Sequence, residues 1–174
     1  MQKKAIIGTL ALILFFSCED KYELIDSKTT VPDPKKINGD TILYDSSGSF
    51  YYSRITKINT QGLLSQFTLP DEFKTKDLEV VFNGRIRTNY AQSNTYINIV
   101  PYDRNGVMLG WNGVSLRYYF TEINKWCYFK DSIHLKFESW NQPFHLINTF
   151  SYLGNSTKEK FDLDCLHVQI KVRK

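Results

Sequence analysis

The last stretch of the chain alternates strictly between apolar and polar positions. Leu166, Val168, Ile170 and Val172 share one parity, and His167, Gln169, Lys171 and Arg173 share the other. A period of two places successive side chains on opposite faces of an extended strand, one toward a core and one toward water. The pattern recurs at Leu78, Val80, Phe82 and Ile86, set against Glu79, Asn83, Arg85 and Arg87, with Val81 among the latter. Further strands are predicted over Tyr96 to Tyr102, Val107 to Trp111, Val114 to Phe120, Ser132 to Trp140 and His145 to Phe150. Asn105-Gly106 and Asn112-Gly113 lie between apolar-rich runs, and Asn-Gly is the dipeptide that tight hairpins favour because both central residues need positive φ. Asn141-Gln142-Pro143 marks another turn. Beyond the N-terminal segment no stretch sustains a 3.6-residue apolar spacing. The pattern predicts an all-β fold, a two-sheet antiparallel β-sandwich (jelly roll).

The N-terminal segment differs. Lys3 and Lys4 form a basic start, and Ala5 to Phe16 an apolar run too short to span a bilayer as a stable helix. Phe15-Phe16-Ser17-Cys18 follows. A small residue directly before a cysteine at the end of such a run resembles a bacterial lipoprotein signal with its lipobox. That resemblance implies a signal peptide over 1–17, cleavage before Cys18, acyl chains such as palmitate on Cys18, and an outer-membrane anchor. More than one chain is needed for stable anchoring, at roughly 0.8 kcal/mol per buried CH₂. Glu19-Asp20 just after the cysteine resembles the export signal of surface-exposed lipoproteins in Gram-negative bacteria. Residues 18–38, with Pro32, Pro34 and mixed charge, read as a solvated tether. The β-sandwich domain is expected over 39–174.

The chain has 174 residues, enough for one ordinary domain. Lys plus Arg number 22 against 18 acids. Without Lys3 and Lys4 the balance is 20 against 18, or +2. That excludes a polybasic nucleic-acid binder, whose affinity comes from many phosphate contacts. Cys127 and Cys165 either pair or stand as separate thiols, and their spacing leaves both open.

Catalytic signatures are missing from the sequence. His134, His145 and His167 lack the context of a nucleophile and its base. Glu79, Glu138, Asp162 and Asp164 show no surroundings that would raise a pKa for glycoside hydrolysis. The twelfth residue from Asp103 is Val114, so Asp103-Arg104-Asn105-Gly106 is a turn and not an EF-hand. No zinc spacing occurs. The protein is read as a non-enzyme.

The aromatic residues carry more information: 12 Phe, 11 Tyr and 3 Trp. Sugar rings stack their C–H faces on exposed aromatic rings, and their hydroxyls seek planar polar groups. On a regular strand Ser132 to Trp140, Trp140 shares the polar face with His134, Lys136 and Glu138. It is then either a stacking platform or the rim of a second small core. Arg85, Arg87, Tyr96 and Asn98 point away from the more apolar faces of their strands, as a ligand patch or as ordinary solvated surface. Trp126, beside Tyr128 and Phe129, reads as core.

One further resemblance rests on Val80-Val81-Phe82-Asn83-Gly84-Arg85-Ile86, Tyr96-Ile97-Asn98-Ile99, Asn105-Gly106, Trp111, Lys125-Trp126-Cys127-Tyr128-Phe129, Trp140-Asn141 and Phe161-Asp162-Leu163-Asp164. Over roughly Phe50 to Lys174 this order resembles carbohydrate-binding-module-like, or galactose-binding-domain-like, jelly rolls. The resemblance implies a glycan or glycan-bearing partner, with ligand-binding residues expected at Trp140, Arg85, Arg87, Tyr96, Asn98 and Glu138. It also implies one structural Ca²⁺ held by Asp45 and Asp164. The competing reading is a docking subunit of an outer-membrane complex, which would need a contiguous exposed apolar patch.

Overall fold

The computed structural model describes residues 22–32, 41–47, 50–56, 61–154 and 159–174. The signal segment and Cys18 lie outside the described residues. Among the described residues, ten strands form two antiparallel sheets: β1 (Tyr22–Thr30), β2 (Thr41–Asp45), β3 (Phe50–Ile55), β4 (Gln61–Thr68), β5 (Leu78–Thr88), β6 (Thr95–Tyr102), β7 (Asn112–Ser115), β8 (Cys127–Leu135), β9 (Leu146–Leu153) and β10 (Phe161–Arg173). Sheet A runs β2-β3-β10-β5-β8, with β1 also pairing β10, and sheet B runs β4-β9-β6-β7. The fold is an all-β, two-sheet sandwich of jelly-roll type.

Alternation builds the core as expected. Leu78, Val80, Phe82 and Ile86 of β5 and Leu166, Val168 and Ile170 of β10 are buried on one face of sheet A. They meet Ile97 and Ile99 of β6, Ile147 of β9 and Phe67 of β4 in one cluster. Burial of a side chain of this kind contributes roughly 1.5–3 kcal/mol.

Three local expectations change, and one alternative left open is decided. First, residues 22–30 are strand and not tether. Tyr22 to Thr30 pairs with β10 from Arg173 to Leu166, with a bulge between Leu24 and Asp26. Strand β10 would otherwise leave backbone donors and acceptors unpaired along that edge. Lys28 Nζ donates to the Gln66 carbonyl, and Thr30 Oγ1 meets Ser65 Oγ, so β1 also ties sheet A to β4. Among the described residues the sandwich therefore includes Tyr22–Thr30, ahead of the expected start at 39.

Second, Asn112-Gly113 is inside β7 and makes no turn. Asn105-Gly106 is a turn: Asp103 Oδ1 accepts the Asn105 and Val107 N–H groups at 2.8 Å each, and Gly106 has φ +76°. These backbone hydrogen bonds, that from Val107 foremost, hold the Asp103 carboxyl below its ordinary pKa. Of the predicted strand Val107 to Trp111, only a single bridge, Tyr102 with Met108, forms.

Third, β8 ends at Leu135, and Phe137–Trp140 is one helical turn, α1. Asp77 Oδ1 accepts the Phe137 N–H at 2.9 Å, and Asn141 closes the turn in the left-handed region at φ 53°. Residues 116–119, expected in a strand, form a 3₁₀ turn.

The alternative decided is that of the cysteines: Cys127 and Cys165 are both free thiols. Cys127 stands opposite Ile86 and Cys165 opposite Arg85, so β5 separates them and they face opposite sides of the sheet.

Candidate functional site

The two sheets present outer faces of different character. Strand β9 shows why for sheet B. Its inward positions include Thr149 and Ser151, fully buried, while Phe150 and Tyr152 lie on the outer face. Neither inward hydroxyl has a hydrogen-bond partner. This reverses the usual order and puts aromatic rings on the outside. Opposite them on β6, Tyr96 pairs with Tyr152, Asn98 with Phe150 and Val100 with Asn148. On the far side of β6, Gly113 of β7 stands opposite Asn98.

Tyr96, Asn98, Val100, Phe150 and Tyr152 line a groove of about 490 Å³, rimmed by Trp111, Met108, Asn94 and Gly154. Trp111 is 65% exposed. A Cβ on Gly113 would lie 2.6 Å from Asn98 Oδ1 and 3.4 Å from the Trp111 ring, so the missing side chain lets both close over this position. Asn98 is buried, and its Oδ1 has no partner. A buried amide oxygen without a donor carries a desolvation cost of about 1–3 kcal/mol. The groove thus holds an unmet acceptor beside exposed aromatic surface.

One end of the groove is braced by a residue the sequence reading passed over. Glu159, 1% exposed, accepts from Thr88 Oγ1 at 3.0 Å, from Ser93 Oγ, and from the Asn94 N–H at 3.1 Å. Asn94 Oδ1 in turn accepts from Tyr96 Oη at 2.7 Å, and the Asn94 carbonyl accepts the Gly154 N–H at 2.8 Å. This network fixes Tyr96 and Asn94 before any ligand arrives.

The outer face of sheet A is closed by contrast. Period-two spacing puts Asp162 and Asp164 on the side of β10 that faces the arginines of β5, and a bulge between Leu163 and Cys165 then resets the parity so that Leu166 points inward again. Gly84 permits the bulge, since a Cβ there would lie 2.2 Å from the Cys165 carbonyl oxygen. Asp162, 2% exposed, receives Arg54 Nε at 2.7 Å and Nη2 at 2.8 Å, and Arg87 Nε at 2.9 Å. Asp164 receives Arg85 Nε at 2.5 Å and the Arg85 N–H at 3.2 Å. The hydrogen bond from Arg54 to Asp162 raises the Arg54 guanidinium above its ordinary pKa. Burial opposes the Arg85 charge, yet Asp164 outweighs it and the net direction is also upward. Phe50, Tyr52 and Trp126 cover the guanidiniums, with Arg87 Cζ 4.6 Å from the Trp126 ring and Arg85 Cζ 4.5 Å from that of Phe50. Trp126 is half-buried here, on the outer face and not in the main core.

The six expected ligand residues are therefore split. Tyr96 and Asn98 line the sheet B groove. Arg85 and Arg87 lie on the other sheet, held by Asp164 and Asp162. Trp140 packs edge-on against Phe144 at 6.3 Å and against the main core, over the position where Gly110 has no side chain. It serves as a core rim, and its half-buried ring also lines a shallow groove of about 410 Å³ with Leu109, Asn112, His134, Lys136 and Ser139, away from the sheet B groove. Glu138 is exposed on that turn, away from the groove lining.

The expected calcium pair does not fit a cation. Both Asp164 oxygens accept donors from Arg85, and Asp45 Oδ1 accepts the Ser47 N–H at 3.0 Å while its Oδ2 lies 4.0 Å from Arg87. A divalent ion there would face guanidiniums. Among the described residues no group of three or more His, Cys, Asp or Glu is placed to hold a metal.

Trp111, Phe150 and Tyr152 were missed as groove residues. The reversed pattern of β9, with Thr149 and Ser151 alternating against Phe150 and Tyr152, was the available signal.

No protein-family model and no curated protein matches the chain. Solved structures do. The chain is similar to the protein of infectious bursal disease virus-derived T=1 particles, with a TM-score of 0.55, 10% identity, and coverage of 96% of this chain and 36% of that one. A VP2 subviral particle of the same virus gives 0.52, 9%, 96% and 37%. The chain thus spans little more than a third of the length of these proteins. A carbohydrate-binding module from Cellvibrio mixtus lichenase 5A, in complex with cellotriose, matches at a TM-score of 0.41 and 10% identity, with 84% of this chain and 98% of that one covered. At these identities the first two likenesses establish the fold alone.

Proposed function

We propose that the protein is a non-catalytic glycan-binding jelly-roll module and that the groove on sheet B is its binding face. The observation that carries this reading is the buried, unpartnered Asn98 Oδ1 beside the exposed Trp111 ring. A sugar hydroxyl would donate to the amide while a ring face stacks on the indole, which supplies both missing interactions at once. The groove lining contains no carboxylate and no histidine, and its hydroxyl groups are those of Tyr96 and Tyr152, which suit hydrogen bonding to a sugar.

The reading includes a lipid anchor at Cys18, in keeping with the N-terminal pattern, and attachment to the outer membrane with the domain at the cell surface. Tyr22 opens β1 four positions after Cys18. An extended chain of four residues reaches at most about 14 Å, which would hold the sandwich close to the bilayer.

The docking-subunit reading is favoured by one observation: Val107, Met108 and Trp111 are all more than half exposed on one connection. A glycan array probed with the soluble form and with Trp111→Ala separates the two. The glycan reading expects saturable binding by the wild type that the variant loses. No binding across a broad array would leave the docking reading in its place.

A further inference from the structure

A second pocket lies at the end of sheet A where β5 finishes and β10 begins. It encloses about 210 Å³ and is lined by Arg54, Arg87, Thr88, Asn124, Lys160 and Asp162, with Asn89 beside them. Three of these side chains are cationic and one is a carboxylate. Asp162 is already engaged by both guanidiniums, each of which contacts it through Nε and Nη2. Its acceptor capacity is consumed there, and the same contacts lock the two arginines in place. Tyr52 stacks under both, at 5.3 Å from Arg54 Cζ and 5.1 Å from Arg87 Cζ.

Two other carboxylates lie nearby. Asp45 sits 4.0 Å from Arg87 Nη1, at the edge of contact. Glu159, behind Thr88, is directed toward neutral donors: Thr88, Ser93 and the Asn94 N–H. Neither lines the pocket. The lining itself carries an excess of two positive charges: Lys160 is exposed, and the two guanidiniums keep N–H groups beyond the Nε and Nη2 contacts that Asp162 takes up. Cationic N–H groups make strong hydrogen bonds to an oxyanion, and holding the guanidiniums rigid beforehand removes part of the entropy loss on binding.

We propose that this pocket is a second, separate binding site that takes a small oxyanion group, a carboxylate or a sulfate. The group arrives either as a free ion or as the acidic substituent of a saccharide. The site does not depend on the sheet B groove.

The test uses the full chain and follows the Arg54 and Arg87 Nε–H signals by NMR. One arm titrates sodium sulfate against sodium chloride at equal ionic strength. A second arm titrates an oligogalacturonide against its methyl ester, which keeps the skeleton and removes the charge. Saturable shifts with sulfate alone identify a free ion, and shifts with the uronate alone identify an acidic saccharide; either supports the site. Lys160→Ala removes one exposed charge and is expected to weaken binding by about two- to fivefold. Asn124→Asp adds a carboxylate to the lining and is expected to abolish saturation. Asn124 has φ 60°, a conformation Asp adopts readily, so this variant keeps its backbone. Unmoved arginine signals in both arms, equal binding of the methyl ester, or undiminished binding by Asn124→Asp would overturn the proposal.

Discussion

The outer faces of the two sheets solve the same problem in opposite ways. On sheet A, polar and charged residues meet one another: Asp162 and Asp164 hold Arg54, Arg85 and Arg87 beneath Phe50, Tyr52 and Trp126. On sheet B, Asn98 meets nothing at Oδ1, and Trp111 stays in water. The first face is a second small core whose carboxylates and guanidiniums satisfy one another, with Trp126 Nε1 the buried donor left without a partner there. The second has a buried acceptor without a partner and an uncovered ring. Polarity alone does not mark a binding surface; unmet polarity beside exposed aromatic area does.

The largest effect that would sharpen this contrast comes from Asp162→Ala. It leaves Arg54 and Arg87 half-buried without their shared partner, and breaking such a pair costs about 3–5 kcal/mol. Urea unfolding should show the loss as a lowered midpoint. A change below about 0.5 kcal/mol would mean that the cluster is ordinary surface after all.

Trp140→Ala comes next. Its ring fills the space over Gly110 and abuts Phe144, so truncation should cost about 2–3 kcal/mol, somewhat under the range for a fully buried Trp. Glycan affinity of the folded fraction should not change. A stable variant with lost binding would restore Trp140 as a stacking platform.

Trp111→Ala is the mirror image. With the ring 65% exposed, stability should move by no more than about 0.5 kcal/mol. Binding should fall at least tenfold, about 1.4 kcal/mol. Equal losses of stability and binding would erase the distinction between the two faces.

The smallest effect concerns Cys165. Burial, aided by Asp164, pushes its thiol up to about 11 from an ordinary 9.0. The folded state then favours the protonated form, so this contribution to stability is full below about pH 9 and is lost as pH rises through about 11. In the native protein Cys165 should alkylate more slowly at pH 8 than in the urea-unfolded chain. Equal rates would show that the closed face does not shield it.

Much of the fold was legible in the sequence because period-two alternation is a local signal. Strands β5 and β10 stand where Leu78 to Ile86 and Leu166 to Val172 put them. Boundaries failed where a tertiary contact decided them. Tyr22 to Thr30 has little apolar content and becomes a strand because β10 offers it an unpaired edge. Ser132 to Trp140 breaks at Lys136 because Asp77, distant in sequence, caps the turn that follows. The site was half legible. Tyr96 and Asn98 line the candidate groove as their facing suggested, whereas Arg85 and Arg87 lie on the other sheet, where their partners Asp164 and Asp162 come from a strand 79 and 75 positions away. Nothing local to Asp162-Leu163-Asp164 announces those partners, nor the parity shift that follows at Cys165, where β10 passes close to Gly84.

One spectrum tests the central claim most directly, since each face carries its own tryptophan. Trp111 stands over the sheet B groove and Trp126 over the closed cluster of sheet A. A ¹H–¹⁵N titration with the glycan selected on the array reports both indole N–H signals together. The account predicts that Trp111 Nε1–H and the Asn98 side-chain amide shift and saturate in parallel while Trp126 Nε1–H stays in place. A saturating shift of Trp126 with Trp111 unmoved would contradict it.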